Sequence, residues 1–269
     1  MPEGPEVKKV TDFLRETINH DIIVDVKINS GRYKKHGPFD GYHALKNMLP
    51  AKVTFVSCKG KFIWAEINNS LYLTSTLGMT GSWGTTKTKH SHVTLVLSNG
   101  SEVYFNDVRN FGTIKVFNNL ESFHKKLNSI GPDLLSGYML EKTFRGIVKT
   151  QKQKTITEVL MNQKLMSGIG NYLKAECLYA SCISPHRSCG SLSDEEINLL
   201  FENCRTIIRR SYELGGATIQ SYRQPGGEPG MFSRRFAVYG QKQDPEGREV
   251  IKEKTRDGRT THWVPEVQV

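Results

Sequence analysis

The 269-residue sequence has no Cys-x2-Cys pair anywhere. Its five cysteines, Cys58, Cys177, Cys182, Cys189 and Cys204, are odd in number and lack the spacing of a disulfide framework. A disulfide-stapled secreted module is excluded, and a reducing compartment is expected. Cys177 and Cys204 fall on apolar helical faces, where buried thiols are common. His186, between Cys182 and Cys189, does not complete a metal site. There is also no apolar run of bilayer-spanning length, and Met1 leads into Pro-Glu-Gly-Pro instead of a signal pattern. The chain is expected to act inside the cell, neither secreted nor held in a membrane. Acidic charge is scarce: 27 Asp+Glu stand against 37 Lys+Arg, a formal net charge of +10. Such an excess suits a polyanionic partner, nucleic acid or an anionic surface. Residues 141–190 concentrate it, with eight Lys/Arg and three Asp/Glu.

What is present divides the chain into three stretches. Pro5 suits a first helical turn, and Val7, Val10, Leu14 and Ile18 recur at helical spacing. The period then drops to two. Ile22, Val24, Val26 and Ile28 alternate, Phe62, Trp64 and Glu66 alternate with Ile63, Ala65 and Ile67, and Val93, Leu95 and Leu97 run into Asn99-Gly100 before Val103 and Phe105. Asn-Gly between alternating strands predicts a hairpin, because both residues accept positive φ. Residues 1–131 thus read as an antiparallel β-sandwich with a leading helix. From Gly131-Pro132 the pattern turns helical. Thr155-x-x-Glu158 and Ser193-x-x-Glu196 are capping boxes, and the second opens a long helix with Ile197, Leu200, Phe201, Cys204, Ile207 and Ile208 on one face, ended by Gly215-Gly216. Residues 132–224 form this helical unit. In residues 225–269, Val250, Ile251, His262, Trp263 and Val264 flank Asp257-Gly258, a second hairpin signal. The fold class is α+β.

The chemistry begins at Pro2. Removal of an initiator Met would expose a secondary amine, whose pKa near 8 leaves a nucleophilic fraction at neutral pH, enlarged by the positive end of the helix that follows. Such an amine can condense with C1′ of a nucleoside to an iminium ion, which expels the base and acidifies the C2′ proton. Glu3 and Glu6 beside it could move protons or hold the opened sugar. Taken alone, Pro-Glu-Gly-Pro could equally be a helix entry.

Met1-Pro-Glu-Gly-Pro-Glu-Val7 resembles the start of the formamidopyrimidine-DNA glycosylase/endonuclease VIII family, and the resemblance runs along the whole chain. Gly4 resembles the endonuclease VIII-like branch. By this likeness Pro2, Glu3 and Lys61 of Gly60-Lys61-Phe62 are the catalytic set, with Glu6 in support. Met79 of Leu77-Gly-Met-Thr-Gly81, and Arg109 and Phe111 of Asp107-Val-Arg-Asn-Phe-Gly112, would fill the space left by an extruded base. His92 of Lys89-His-Ser-His-Val93 matches a segment near the DNA backbone, although it could equally be a plain strand residue. Gly168-Ile-Gly-Asn-Tyr-Leu-Lys-Ala-Glu176 resembles the helix-two-turn-helix signature. There the helix start would cradle a phosphate with bare backbone N–H groups, and Asn171 would add a side-chain donor.

The tail departs from most of the family. Phe236-Ala-Val-Tyr-Gly240 resembles the entry to a zinc finger, yet no cysteine follows. Asp257-Gly-Arg-Thr-Thr-His-Trp263 resembles instead the zincless finger of some endonuclease VIII-like enzymes, with Arg259 on DNA and apolar packing of Val250, Ile251, Trp263 and Val264 holding the hairpin. The resemblance implies a bifunctional glycosylase and abasic-site lyase, active as a monomer on double-stranded DNA with oxidised bases or abasic sites, by β,δ-elimination and without a metal or other cofactor. Oxidised pyrimidines and hydantoins are the expected lesions, with 8-oxoguanine and formamidopyrimidine as the alternative. The competing readings are a non-catalytic damage-binding protein of the same fold and a metal-dependent nuclease.

Overall fold

Alternating strands with one apolar face must bury that face, and here they do so against each other and against a leading helix. The computed structural model describes residues 2–137, 139–219 and 222–269. Helix α1 (Gly4–Ile18) is followed by β1 (Ile22–Ile28), the short helices α2 (Arg32–Lys35) and α3 (Tyr42–Met48), and then β2 (Ala51–Lys59), β3 (Phe62–Ile67), β4 (Leu71–Thr76), β5 (Gly81–Gly84), β6 (Ser91–Leu97), β7 (Glu102–Asp107) and β8 (Thr113–Phe117). The strands form one antiparallel sheet in the order β5-β7-β6-β1-β2-β3-β4-β8. β1 and β2 share only the pairs Ile22–Lys52 and Ile23–Ala51, so the sheet folds at that seam into two four-stranded layers. Between the layers, the Trp83 indole of β5 donates to Ser75 Oγ of β4 (3.1 Å), beside Val56, Ile63, Leu73 and Leu95.

The alternation read from the sequence holds in β3, where Ile63, Ala65 and Ile67 enter the main core and Phe62 packs with Tyr72 and Phe123 beneath α4 (Leu120–Asn128) on the opposite face. It fails in β1. A bulge between Ile23 and Asp25 shifts the register, leaving Ile22 and Val24 exposed while Ile23 and Val26 are buried. One extra residue in a strand sends the side chains beyond it to the other face.

The helical unit comprises α5 (Glu141–Thr150), α6 (Ile156–Met161), α7 (Asn171–Ala180) and α8 (Asp194–Glu213). Both anticipated capping boxes form: Glu158 Oε2 accepts the Thr155 N–H (2.8 Å), and Glu196 Oε2 accepts that of Ser193 (2.7 Å). Five of the six residues foreseen on the inner face of α8 are buried, and Ile207 packs at the margin. α7 is buried on every side, charged residues included: Lys174 is 0% exposed and Glu176 is 5%. Beyond α8 the chain ends in the hairpin β9 (Ile251–Lys254) and β10 (Thr260–Trp263), paired from Thr260–Lys254 to Trp263–Ile251. No helix among the described residues is long and apolar enough to cross a membrane.

Candidate active site

The proline end of the chain is clamped between the sandwich and α7. Pro2 is buried and lines two cavities. One, of about 380 Å³, is formed with Met79, Thr80, the β5 edge, His90 and Tyr222 to Gly227. The other, of about 180 Å³, is formed with Val7, Lys61, Thr76, Leu77 and Gly78. The Gly4 N–H donates to the Gly168 carbonyl (2.8 Å), and a Cβ on Gly4 would lie 3.1 Å from Gly168 Cα. A glycine there permits this close crossing of two backbones.

Glu3 is 2% exposed and accepts three backbone N–H groups at the start of α7: Gly170 (2.7 Å), Tyr172 (3.0 Å) and Leu173 (3.3 Å). The helix start that the sequence suggested as a phosphate cradle is therefore taken by the protein's own carboxylate at these three groups. The physics is that of an anion at a helix N-terminus, but the anion is internal. The second glycine of Gly168-Ile-Gly170 is required by this contact, because a Cβ on Gly170 would sit 2.3 Å from Glu3 Cδ. Burial raises the Glu3 pKa to about 7, against the opposing pull of Lys61.

Glu6, expected in support, faces neither cavity. It accepts the Glu3 N–H (2.6 Å), the Tyr172 hydroxyl (2.9 Å) and the Ala217 N–H (2.7 Å), and Tyr172 in turn meets Ser211 Oγ (2.9 Å). It thus ties the proline end to α7 and to the base of the 218–230 segment, part of which walls the larger cavity. Burial raises its pKa too.

Lys61 reaches across to donate to the Ile169 carbonyl (2.7 Å), and burial lowers its pKa. Its preceding residue, Gly60, has φ +57° and donates its N–H to Asp133 Oδ2 (2.8 Å). Sequence reasoning missed Asp133, which fastens this strand turn to the segment entering the helical unit. Gln163 was missed as well. Its amide accepts the Gly168 N–H (3.1 Å) and donates to the Ile169 carbonyl (2.9 Å), bracing the turn that Lys61 and Gly4 also grip. No sequence pattern announced either residue.

Met79 stands on one loop and Arg109 and Phe111 on another, and the two loops are fastened to each other. Asp107 is 1% exposed; its Oδ1 accepts the Thr80 hydroxyl (2.5 Å) and its Oδ2 the Gly112 N–H (2.6 Å). A Cβ on Gly78 would lie 2.6 Å from the Phe111 carbonyl carbon, so the loops meet backbone to backbone. Phe111 is 53% exposed, and the Arg109 guanidinium lies 4.8 Å from its ring centroid. Arg32, another residue not foreseen, donates to the Asn110 (3.3 Å) and Gly112 (3.2 Å) carbonyls on either side of Phe111.

His92 is buried in the sheet beside the Asp107 loop. It is 5% exposed, with Nε2 on the Asp107 carbonyl (2.6 Å) and Nδ1 on Ser30 Oγ (2.9 Å), so both ring nitrogens are committed to holding the loop.

Asn171 and Arg259 lie at the hairpin end. Asn171 Nδ2 donates to the Thr260 carbonyl (2.9 Å), joining α7 to the start of β10. Arg259 is exposed at the tip, where its side chain has no hydrogen-bond or ion-pair partner among the described residues. It lies close enough to Lys61 to disfavour that residue's charged form. The hairpin is held only in part as expected. Val250 and Val264 pack with Ala175 and Val238, but Ile251 is 38% exposed, and Trp263 meets Glu253 through its indole N–H (2.6 Å). Beside this small cluster, polar contacts join the tail to α7. Glu176 accepts the N–H groups of Ala237, Val238 and Tyr239 (2.8–3.0 Å), and Lys174 pairs with Asp257 (2.6 Å). A legible sign existed: charged residues inside the otherwise apolar Tyr172–Ala180 segment are seldom buried without partners. Among the described residues no group of three or more His, Cys, Asp or Glu is placed to hold a metal ion.

This geometry coincides with matches along the entire chain. The formamidopyrimidine-DNA glycosylase N-terminal domain matches residues 1–114, its H2TH domain residues 130–223 and its C-terminal domain residues 232–269. A formamidopyrimidine-DNA glycosylase from Oceanobacillus iheyensis is 33% identical, over 100% of this chain and 98% of the relative. The chain belongs to the formamidopyrimidine-DNA glycosylase family. With membership goes its enzyme class, DNA glycosylase and abasic-site lyase. The crystal structure of the MutM (Fpg) protein of Thermus thermophilus superposes with a TM-score of 0.87 at 30% identity, covering 99% of this chain and 98% of that one. Lactococcus lactis Fpg bound to DNA with an abasic site gives 0.86 at 29% identity, covering 99% of each, and related complexes of that protein hold Fapy-dG or an oxidised pyrimidine.

Proposed function

We propose that this glycosylase excises damaged bases by attack of the Pro2 secondary amine, freed by removal of Met1, on C1′ of an extruded nucleotide. The observation that carries the reading is the position of Pro2, buried at the meeting of two cavities with Lys61 beside it. The larger cavity would take the extruded base. The amine forms a bond to C1′ and gives up its proton as the C1′–N bond breaks and the base leaves with a proton; the C1′–O4′ bond then opens, O4′ takes a proton, and the nitrogen lone pair completes the iminium ion. The iminium ion then loses its C2′ proton, and the 3′ phosphate departs by β-elimination and the 5′ phosphate by δ-elimination. Glu3 anchors the proline end on α7 and, with its pKa near 7, can take or release a proton at neutral pH. Met79, Arg109 and Phe111 fill the gap in the duplex, and Asn171 and Arg259 bind phosphates beside it.

The lesion class follows from two lines of support. The relatives are named for formamidopyrimidine, and one complex holds Fapy-dG. This puts formamidopyrimidines first, ahead of the pyrimidines that the resemblance to the endonuclease VIII-like branch suggested. Gly4 and the cysteine-free tail still favour oxidised pyrimidines as a second class.

Borohydride trapping of protein whose Met1 removal is verified by mass spectrometry tests the chemistry. Duplexes carrying formamidopyrimidine, thymine glycol or 8-oxoguanine are compared, with EDTA present throughout. A covalent adduct on the formamidopyrimidine duplex, lost in Pro2→Ala protein with an acetylated N-terminus, is the expected result. An adduct that persists in that variant assigns the amine elsewhere, and the duplex trapped fastest ranks the lesions.

The Glu3 environment predicts a pH signature. A carboxyl group whose folded pKa lies near 7 keeps its proton in the native state while the unfolded chain loses it above about 4.5. Stability from this group is thus full below about pH 4.5 and is lost as pH rises through 7, by roughly 3 kcal/mol. Glu3→Gln should flatten the fall in urea-unfolding free energy between pH 5 and 7.5. An unchanged profile would remove Glu3 as its source.

A further inference from the structure

Lys174 and Asp257 form an ion pair whose side chains are 0% and 2% exposed, beside the small apolar cluster of Ala175, Val238, Val250 and Val264. Two desolvated charges are costly to bury unless geometry and further hydrogen bonds satisfy them, so the pair needs an explanation beyond filling space. Its connections supply one. Asp257 Oδ2 takes the lysine (2.6 Å), while Oδ1 accepts the Thr255 hydroxyl (2.5 Å) and faces the Arg259 N–H at 3.5 Å. Thr255 Oγ1 also reaches the Arg259 carbonyl (3.1 Å) and Thr261 Oγ1 (2.7 Å). Every one of these contacts shapes the turn from which Arg259 projects. The other end of the pair stands one residue after Leu173, whose N–H, with those of Gly170 and Tyr172, binds Glu3. The first turn of α7 therefore holds the proline end with its backbone and the arginine tip with a side chain.

We infer that Lys174 and Asp257 are positioning residues that set the Arg259 guanidinium on a DNA phosphate at the lesion, the ion pair doing in this cysteine-free hairpin what a bound structural metal would do in a thiolate-bearing one. The inference rests on the proposed phosphate-binding role of Arg259. Lys174 itself is sealed from solvent and can touch no DNA, so any effect of it on the ionic part of binding must pass through another residue.

The test uses the full chain and a duplex with one tetrahydrofuran abasic analogue, which binds without being cleaved. Affinity is measured against salt concentration for the wild type, Arg259→Ala, Lys174→Met, Lys174→Arg and the double variant Arg259→Ala/Lys174→Met. Loss of one phosphate contact lowers the magnitude of the log–log salt slope by about one. Arg259→Ala and Lys174→Met should each show that change together with about tenfold weaker binding at fixed salt. The double variant should be no worse than either, and Lys174→Arg should recover most of the slope. A Lys174→Met protein with the wild-type slope, or a double variant in which the two losses multiply, would overturn the inference while leaving the Arg259 reading intact. A silent Arg259→Ala would remove both, since nothing would remain to be positioned. Should Lys174→Met fail to fold by circular dichroism, Asp257→Asn, which keeps the shape of the turn and discharges the pair, carries the same comparison.

Discussion

The chain contains two hairpins of the same turn chemistry on different supports. β6 and β7 meet at Asn99-Gly100, and β9 and β10 meet at Asp257-Gly258; the glycines have φ of +84° and +77°. In the first hairpin, Val93, Leu95, Leu97, Val103 and Phe105 are all buried in the main core, so hydrophobic burial fixes register and position together. In the second, half of the strand residues are exposed, and the apolar support is a small cluster of Val250, Val264, Ala175 and Val238 with Tyr179, Ala237, Tyr239 and Val267 at its margin. Its position is fixed from outside, by Lys174 and Asn171 of α7. A core-borne hairpin is as stable as the layer it belongs to. A hairpin hung on an ion pair can detach while the rest of the molecule stays folded.

The largest expected effect breaks that external support. Asp257→Ala leaves Lys174 buried and unpaired, a change that costs about 3–5 kcal/mol when the charge has no escape. Here it has one, because lifting the hairpin gives the ammonium to water. The cost should therefore appear as local opening. Amide hydrogen exchange in residues 251–263 should accelerate to the limit set by hairpin opening, with the urea midpoint of the sandwich unchanged. A uniform loss of protection across α1 and the sandwich strands would show that the two hairpins do not differ in this way.

Next in size is the reciprocal change. Leu95→Ala on β6 removes a side chain that is 1% exposed in the main core, and should cost about 2–5 kcal/mol. Since that hairpin has no stability of its own to lose, the loss should be global, a lower urea midpoint with every sandwich amide affected alike. Selective exchange in β6 and β7 would argue against a cooperative sandwich.

The contrast also explains what was legible in the sequence. Turn chemistry and strand period are local, so both hairpins, both capping boxes and the inner face of α8 were visible as patterns. The bulge at Ile23–Asp25 was not, because nothing in Ile22–Ile28 marks where a register slips. In the site, residues embedded in motifs could be named, from Pro2 and Lys61 to Arg259. The groups that hold them in place could not, because Asp133, Gln163, Arg32 and Lys174 each act on residues at least five positions distant and mostly more than seventy. Two motif positions carry contacts that the sequence did not announce: the α7 start receives Glu3, and His92 props a loop.

The smallest effect tests whether the turns themselves are alike. A Cβ added at Gly100 or at Gly258 would meet nothing within 4 Å, so the only penalty in either turn is the left-handed backbone, about 1–2 kcal/mol. In Gly100→Ala that cost should lower the stability of the sandwich as a whole, since the turn belongs to the core. In Gly258→Ala the same cost should fall on the hairpin alone, raising its opening equilibrium by roughly tenfold without moving the global midpoint. Equal energies delivered to different cooperative units would confirm that support distinguishes the hairpins, with the turn sequence common to both. A global shift from Gly258→Ala would mean that the hairpin folds as part of the helical unit, and that the Lys174–Asp257 pair joins two parts of one cooperative body.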